Sequence, residues 1–230
     1  MTDEVMHILS ANNVYRDFKT ATGTLSVLKG ISMNLQKGET AAVTGASGVG
    51  KSTLLHILGG LDKPTRGEVS ISDVPLHSRS EKELARFRVN TVGFVFQFHY
   101  LLDDFTALEN VMIPHLLAGR KTAEAAERGE QLLQEVGLSE RRGHRPKELS
   151  GGEQQRVAVA RALANNPAVV LADEPSGNLD TATGGALHEL LFRLAREKQV
   201  TFLIATHNRD LAAHCDREFQ MADGRIVEVR

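Results

Sequence analysis

Cysteine is nearly missing from this 230-residue sequence: there is one, Cys215. A lone thiol excludes an internal disulfide, and no cysteine–histidine group has zinc-ligand spacing, so the chain reads as the product of a reducing compartment. Tryptophan is absent and aromatics make up 5% of the chain. A strong charge of one sign is missing too. The formal net charge of -2 lacks the electrostatic footprint that nucleic acid or an anionic bilayer would require. No stretch approaches the roughly 18 unbroken apolar residues of a spanning helix. The acidic start Met1-Thr2-Asp3-Glu4 is not followed by an apolar segment of the secretory type. These absences predict a cytosolic chain that meets a membrane only through partners and does not bind nucleic acid. Its length suits one domain with a subdomain, without room for a second full module.

What is there begins with Gly45-Ala46-Ser47-Gly48-Val49-Gly50-Lys51-Ser52, entered from the run Glu39 to Thr44 and left through Thr53-Leu54-Leu55. The pattern reads strand, phosphate loop, helix. Glycines let the backbone turn its N–H groups inward, and the following helix adds its partly positive end, so an oligophosphate is held by groups that need no deprotonation. Lys51 reaches the β- and γ-phosphates in such a loop, and the Ser52 hydroxyl ligates Mg²⁺. A glycine-rich turn from strand to helix can also be purely structural. The Lys-Ser pair in this context favours the phosphate.

Before that loop, His7–Ser10, Val14–Phe18, Val27-Leu28 and Ile31–Leu35 alternate apolar and polar residues as separate strands of a half-buried antiparallel sheet. After it, Glu68–Ser72 reads as a strand and Glu81–Arg88 as a short charged helix. Val92 to Tyr100 alternates again, with Val92, Phe94, Phe96, Phe98 and Tyr100 on one face. Five of the chain's eleven Phe and Tyr fall between Phe94 and Phe105. A buried strand accounts for Phe94 and Phe96 but does less for Phe98, Tyr100 and Phe105. From Thr106 to Glu140 the period turns helical in two segments split at Gly119–Thr122, an insertion between strands of the main sheet. The basic cluster Arg141 to Arg145 reads as a solvated turn.

Leu149-Ser150-Gly151-Gly152-Glu153 opens the next helix, which stops before Pro167. Ser150 and Glu153 have capping-box spacing. A cap does not need two glycines in the first turn, each costing about 1 kcal/mol of helix propensity; the other use for them is close approach of a phosphate to the helix N-terminus. Both readings stand at this point. Ala168 to Ala172 is an apolar run that ends in Asp173 and Glu174, as a buried parallel strand with both acids at its carboxyl edge. Downstream of a phosphate loop, Asp173 suits Mg²⁺ held through water, and Glu174 suits polarising the attacking water. Asp180 caps a helix from Thr181 to about Glu197. The strand Val200 to Ala205 delivers His207 to the same edge, where it is either structural or beside a γ-phosphate. Asp223-Gly224 turns a terminal hairpin.

In order, the phosphate loop, Gln97 ending a strand, Leu-Ser-Gly-Gly-Glu, the apolar-Asp-Glu strand and the strand-end histidine resemble the nucleotide-binding subunits of ATP-binding cassette (ABC) transporters over essentially the whole chain. The resemblance implies an α/β fold. A phosphate-loop NTPase core with a mostly parallel sheet and an antiparallel β part (about 1–97 and 146–230) would carry an inserted helical subdomain (about 98–145). Gly45, Ser47, Gly48, Gly50, Lys51, Ser52 and Thr53 would then cradle ATP and Mg²⁺. Gln97 would touch metal and water, and Asp173 would serve the metal. Glu174 would be the catalytic base and His207 would hold the γ-phosphate. Phe18, or less well placed Tyr15, would stack on adenine. Ser150, Gly151, Gly152 and Glu153, with the Asp180 loop, would act on the nucleotide of a second copy, so that two chains close head to tail on two ATP molecules. The segment Phe96 to Val111, with His144-Arg145-Pro146 and Ser176 to Asp180, is similar to the lipoprotein-releasing, LolD-type branch, beside the MacB and FtsE group. This implies an ATPase on the cytoplasmic face of the bacterial inner membrane, with a permease docking near Phe98–Ile113. Other expectations are an efflux or cell-division cassette of the same group and, from another class, a soluble ABC ATPase of DNA repair or translation. The latter is disfavoured by charge and by the lack of a coiled coil, zinc module or second cassette. A non-hydrolysing ATP-gated module is disfavoured by the presence of Lys51, Asp173, Glu174 and His207.

Overall fold

The computed structural model describes residues 7–21 and 23–230; the acidic start Met1 to Glu4 lies outside them. Two sheets organise the chain. The first is antiparallel, in the order β2-β1-β4-β5, from β1 (His7–Thr20), β2 (Gly23–Gln36), β4 (Arg66–Ile71) and β5 (Val74–Pro75). The second has the order β10-β9-β3-β8-β7-β6, from β3 (Thr40–Thr44), β6 (Val92–Phe96), β7 (Val169–Asp173), β8 (Thr201–Thr206), β9 (Arg217–Ala222) and β10 (Arg225–Glu228). All of its pairs are parallel except the β9–β10 hairpin.

Its central strands are apolar on both faces because helices or the other sheet cover both. Along β3, β7 and β8 the side chains go alternately to two cores. Ala42, Val170, Ala172, Phe202 and Ile204 pack with α3 (Ala107–Leu117), α4 (Thr122–Glu135), α5 (Gly151–Ala162) and α6 (Thr181–Lys198). Ala41, Val43, Leu171, Leu203 and Ala205 pack with α1 (Lys51–Leu58), α2 (Glu81–Thr91) and the antiparallel sheet. Cys215 is buried just after α7 (Arg209–Ala213), its thiol donating to the Leu211 carbonyl at 3.6 Å. Among the described residues no helix is long and apolar enough to cross a membrane.

One expectation changes. The four strand runs before residue 36 are two long strands, β1 and β2, paired through bulges between Ala11 and Val14 and again near Tyr15 and Arg16, which interrupt the alternation. The strand begun at Val92 stops at Phe96, next to Gln97, and Phe98 and Tyr100 follow it into a loop, as the sequence reading has it. Its neighbour β7 ends opposite it, with Phe96 paired to Asp173, so no ladder partner remains. Tyr100 then turns left-handed (φ 46°), and the His99 and Tyr100 carbonyls bond to Arg161 instead.

Candidate active site

Register places the chemistry. Thr44 pairs with Thr206, Asp173 with Ala205 and Phe96 with Asp173, so the segments after β3, β6, β7 and β8 leave the sheet at one edge. They surround a cleft of about 680 Å³ lined by Ser47, Gly48, Gly50, Lys51, Ser52 and Thr53 on one side and by Gln97, Asp173, Glu174 and His207 on the other. Val27, which the sequence did not single out, completes it.

The loop into α1 ends at Gly50, whose φ of 113° is open to glycine at little cost. No side chain caps α1. Its first-turn N–H groups are therefore left to whatever lies in the cleft. Lys51 is buried, and its Nζ donates to the carbonyls of Gly45 (2.8 Å) and Ala46 (3.1 Å) and lies 3.8 Å from Glu174 Oε1. A buried ammonium needs such partners.

Glu174 occupies the left-handed region (φ 45°), at a cost of about 1 kcal/mol. Its own N–H donates to the Ala205 carbonyl at 2.8 Å, which fastens it to the next strand. The carboxylate accepts from His207 N–H and from the Thr206 hydroxyl, both at 3.3 Å, and His207 Nδ1 lies 2.9 Å from Oε1. Beside it, Asp173 Oδ1 is buried with no hydrogen-bond partner among the described residues. A bare carboxylate oxygen is expensive to bury. At the rim of a cleft that also presents the Ser52 hydroxyl, this atom fits a hard cation bound by oxygen. Gln97 is braced from behind: its Nε2 donates to Asn178 Oδ1 at 2.9 Å, and Asn178 Nδ2 donates to the Gln97 carbonyl at 3.0 Å.

The other sequence candidates lie elsewhere. Ser150 caps α5 as the spacing predicts, with its hydroxyl accepting from Glu153 N–H (3.3 Å) and Glu153 Oε2 accepting from Ser150 N–H (2.8 Å). That N–H bond, together with Arg141 Nε at 3.0 Å from Oε1, depresses the Glu153 carboxyl to about 2. Gly152 has a reason besides phosphate approach: a Cβ there would come within 2.4 Å of Thr183 Cγ2 on α6. Asp180 accepts from Thr183 N–H at 3.0 Å as the α6 cap, and hydrogen bonding from the Thr183 side chain first, then from that N–H, lowers its pKa. None of Ser150, Gly151, Gly152, Glu153 or Asp180 lines the cleft that holds Lys51. Phe18 sits on β1 opposite Leu25 with the Arg16 guanidinium 4.4 Å over its ring, beyond the cleft lining. Tyr15 is covered by Arg66 at 4.1 Å and packs close to Gly30.

The sequence profile of the ABC transporter family matches residues 28–177. The chain belongs to that family. Among curated ABC relatives, the lipoprotein-releasing system ATP-binding protein LolD of Geobacter metallireducens is 50% identical over 220 residues, covering 96% of this chain and 98% of its own. LolD of Porphyromonas gingivalis is 51% identical over 219 residues, covering 95% and 98%. LolD of Bacteroides thetaiotaomicron is 54% identical over 204 residues, covering 89% and 94%. Among solved structures, the ATP-binding cassette MJ0796, in a dimeric post-hydrolysis state bound to ADP and Pi, superposes with a TM-score of 0.88 at 38% identity. The match covers 96% of this chain and 99% of that one. As an ABC cassette the chain binds ATP, and the antiparallel sheet, parallel core and helical insertion are those expected of the family.

Proposed function

We propose that this chain is the Mg²⁺-dependent ATPase subunit of an inner-membrane ABC complex that energises release of lipoproteins toward the outer membrane. The observation that carries the ATPase reading is the convergence of Lys51, Ser52, Gln97, Asp173, Glu174 and His207 on one cleft. The lipoprotein reading rests on the LolD relatives, ATP-binding proteins of lipoprotein-releasing systems that are about half identical over nearly the whole chain.

In this reading the residues from Gly45 to Thr53 hold the triphosphate, with the α1 N-terminus and Lys51 stabilising charge on its β- and γ-oxygens. Ser52, Asp173 and Gln97 hold Mg²⁺, which supplies neutralisation of phosphate charge. Glu174 takes the proton of the attacking water as its oxygen bonds to the γ-phosphorus and the bond to the β-phosphate oxygen breaks, releasing ADP. His207 stands beside the same carboxylate and reaches the γ-phosphate. Phe18 stacks on the adenine. Ser150, Gly151, Gly152 and Glu153, with the Asp180 loop, are absent from their own cleft and serve the cleft of a second copy. Residues 98–145 work as the helical subdomain of a single cassette, 1–230. The permease docks on its face near Phe98–Ile113, from the cytoplasmic side. Within that segment Phe98, Tyr100, Leu102 and Phe105 are exposed while Asn110, Val111 and Met112 are buried. An adjoining groove of about 280 Å³ between Phe94, Phe96, Pro114 and Leu117 extends the apolar surface.

Turnover per molecule should rise with chain concentration, because each cleft is completed by a partner. Equal turnover at high dilution would remove the paired-copy reading. Excess Glu174→Gln chain in spheroplasts should block lipoprotein release from the inner membrane. Undisturbed release, with the chain co-purifying instead with an efflux pump or a cell-division protein, would overturn the lipoprotein reading.

A further inference from the structure

After β6 the chain alternates over the start of α5. Phe98 and Tyr100 are 62% and 64% exposed, while His99 between them turns inward. Its Nε2 lies 2.9 Å from the carbonyl oxygen of Gly151, in the first turn of α5. A carbonyl only accepts, so Nε2 is the nitrogen that carries the proton. A second strap runs from the far end of the same helix. Arg161 donates to the His99 carbonyl at 2.7 Å and to the Tyr100 carbonyl at 2.6 Å. These two attachment points, Gly151 and Arg161, are about 15 Å apart along the helix. The loop is thus fastened to α5 near both ends of that helix, although it follows the last residue of β6.

We propose that His99 is a positioning residue. By holding the Gly151 carbonyl it joins the exposed Phe98–Tyr100 surface to the first turn of α5, so that a partner seated on that surface sets the angle at which Ser150 and Gly151 meet the nucleotide of a second copy. The inference rests on the paired-copy reading above. His99 touches neither nucleotide nor metal, and its effect passes through the backbone of Gly151.

The test uses the purified full chain with His99→Leu and His99→Gln. A fluorescent ATP analogue is titrated at high dilution, and turnover is followed across chain concentrations. His99→Leu should bind the analogue like the wild type but need about five-fold more chain to reach half-maximal turnover, the worth of one hydrogen bond. His99→Gln, whose amide nitrogen reaches the same carbonyl, should restore the wild-type curve. A wild-type concentration dependence that His99→Leu leaves unchanged, or a His99→Gln curve as poor as that of His99→Leu, would overturn this inference alone. Wild-type turnover independent of concentration would remove the paired-copy reading and this inference with it. Should His99→Leu not fold, the imidazole ¹⁵N spectrum of the wild type decides, with the His99 signal identified by its loss in His99→Gln. A protonated Nε2 supports the strap and a protonated Nδ1 overturns it.

Discussion

Glu174 combines an uncommon backbone conformation with three contacts to the end of β8, so its carboxylate has little freedom. Glu174→Gln keeps the shape and removes the base. It should still bind ATP and accumulate as closed pairs, while turnover falls at least about 100-fold. Single-turnover hydrolysis beside size-exclusion chromatography checks both outcomes. For the nucleobase, the two rings differ in what covers them: Tyr15 lies under Arg66 and against Gly30, whereas Phe18 lies under Arg16. Phe18→Ala should weaken ATP binding about ten-fold, as loss of one stacked ring does, and Tyr15→Ala should not. Fluorescent-nucleotide titration separates them. Lys51, Asp173, Glu174 and His207, which the fold brings to one cleft, could be singled out in the sequence because each sits in a local pattern with a chemical reason; Phe18, expected only from the family resemblance, lies beyond that lining. Asn178 behind Gln97, and His99 under Gly151, could not be singled out. Those bonds join residues 81 and 52 positions apart, and only the fold brings them together.

The helices were readable as elements because their starts carry their own signals. Ser80/Glu83, Thr106/Glu109 and Ser150/Glu153 all close as capping boxes. The three carboxyls are held below their ordinary 4.5, mainly by hydrogen bonds from the capping residue, and Glu153 falls to about 2. A depressed acid stabilises the fold fully above its unfolded pKa, and that contribution disappears as pH falls through the folded one. For Glu153 the window runs from 4.5 down to about 2. Glu153→Gln should flatten the acid limb of the urea midpoint in that window relative to the wild type. Less readable was the joining of the first four strand runs into β1 and β2, since the bulges that interrupt their alternation depend on the pairing of the two strands. The same holds for Gly152, which the sequence offers to a phosphate and the structure also packs against Thr183. Gly152→Ala should cost about 1–3 kcal/mol by overpacking. Thr183→Ser removes the methyl that the new Cβ would strike. With both changes, stability should return and gain from alanine's better helix propensity, about 1 kcal/mol. Thermal unfolding of the four proteins of that cycle measures it.

Across the whole molecule, the two cores meet along one sheet whose central strands send alternate side chains to each. Their division was partly legible as apolar runs too continuous for a half-exposed strand, but which residue faces which core depends on register. Cys215 lies in the first of these cores, 5% exposed, and burial pushes its thiol up to about 12. At neutral pH the reactive thiolate is then only on the order of 1 part in 100,000. Native chain should take up no maleimide at pH 7 and one equivalent after denaturation, as intact mass would record. The polypeptide thus comes already silent to thiol reagents. A single cysteine introduced at any exposed position gives one dye or spin label per copy without first deleting a native residue, and distances between two such labels would follow the opening and shutting of a working pair in real time.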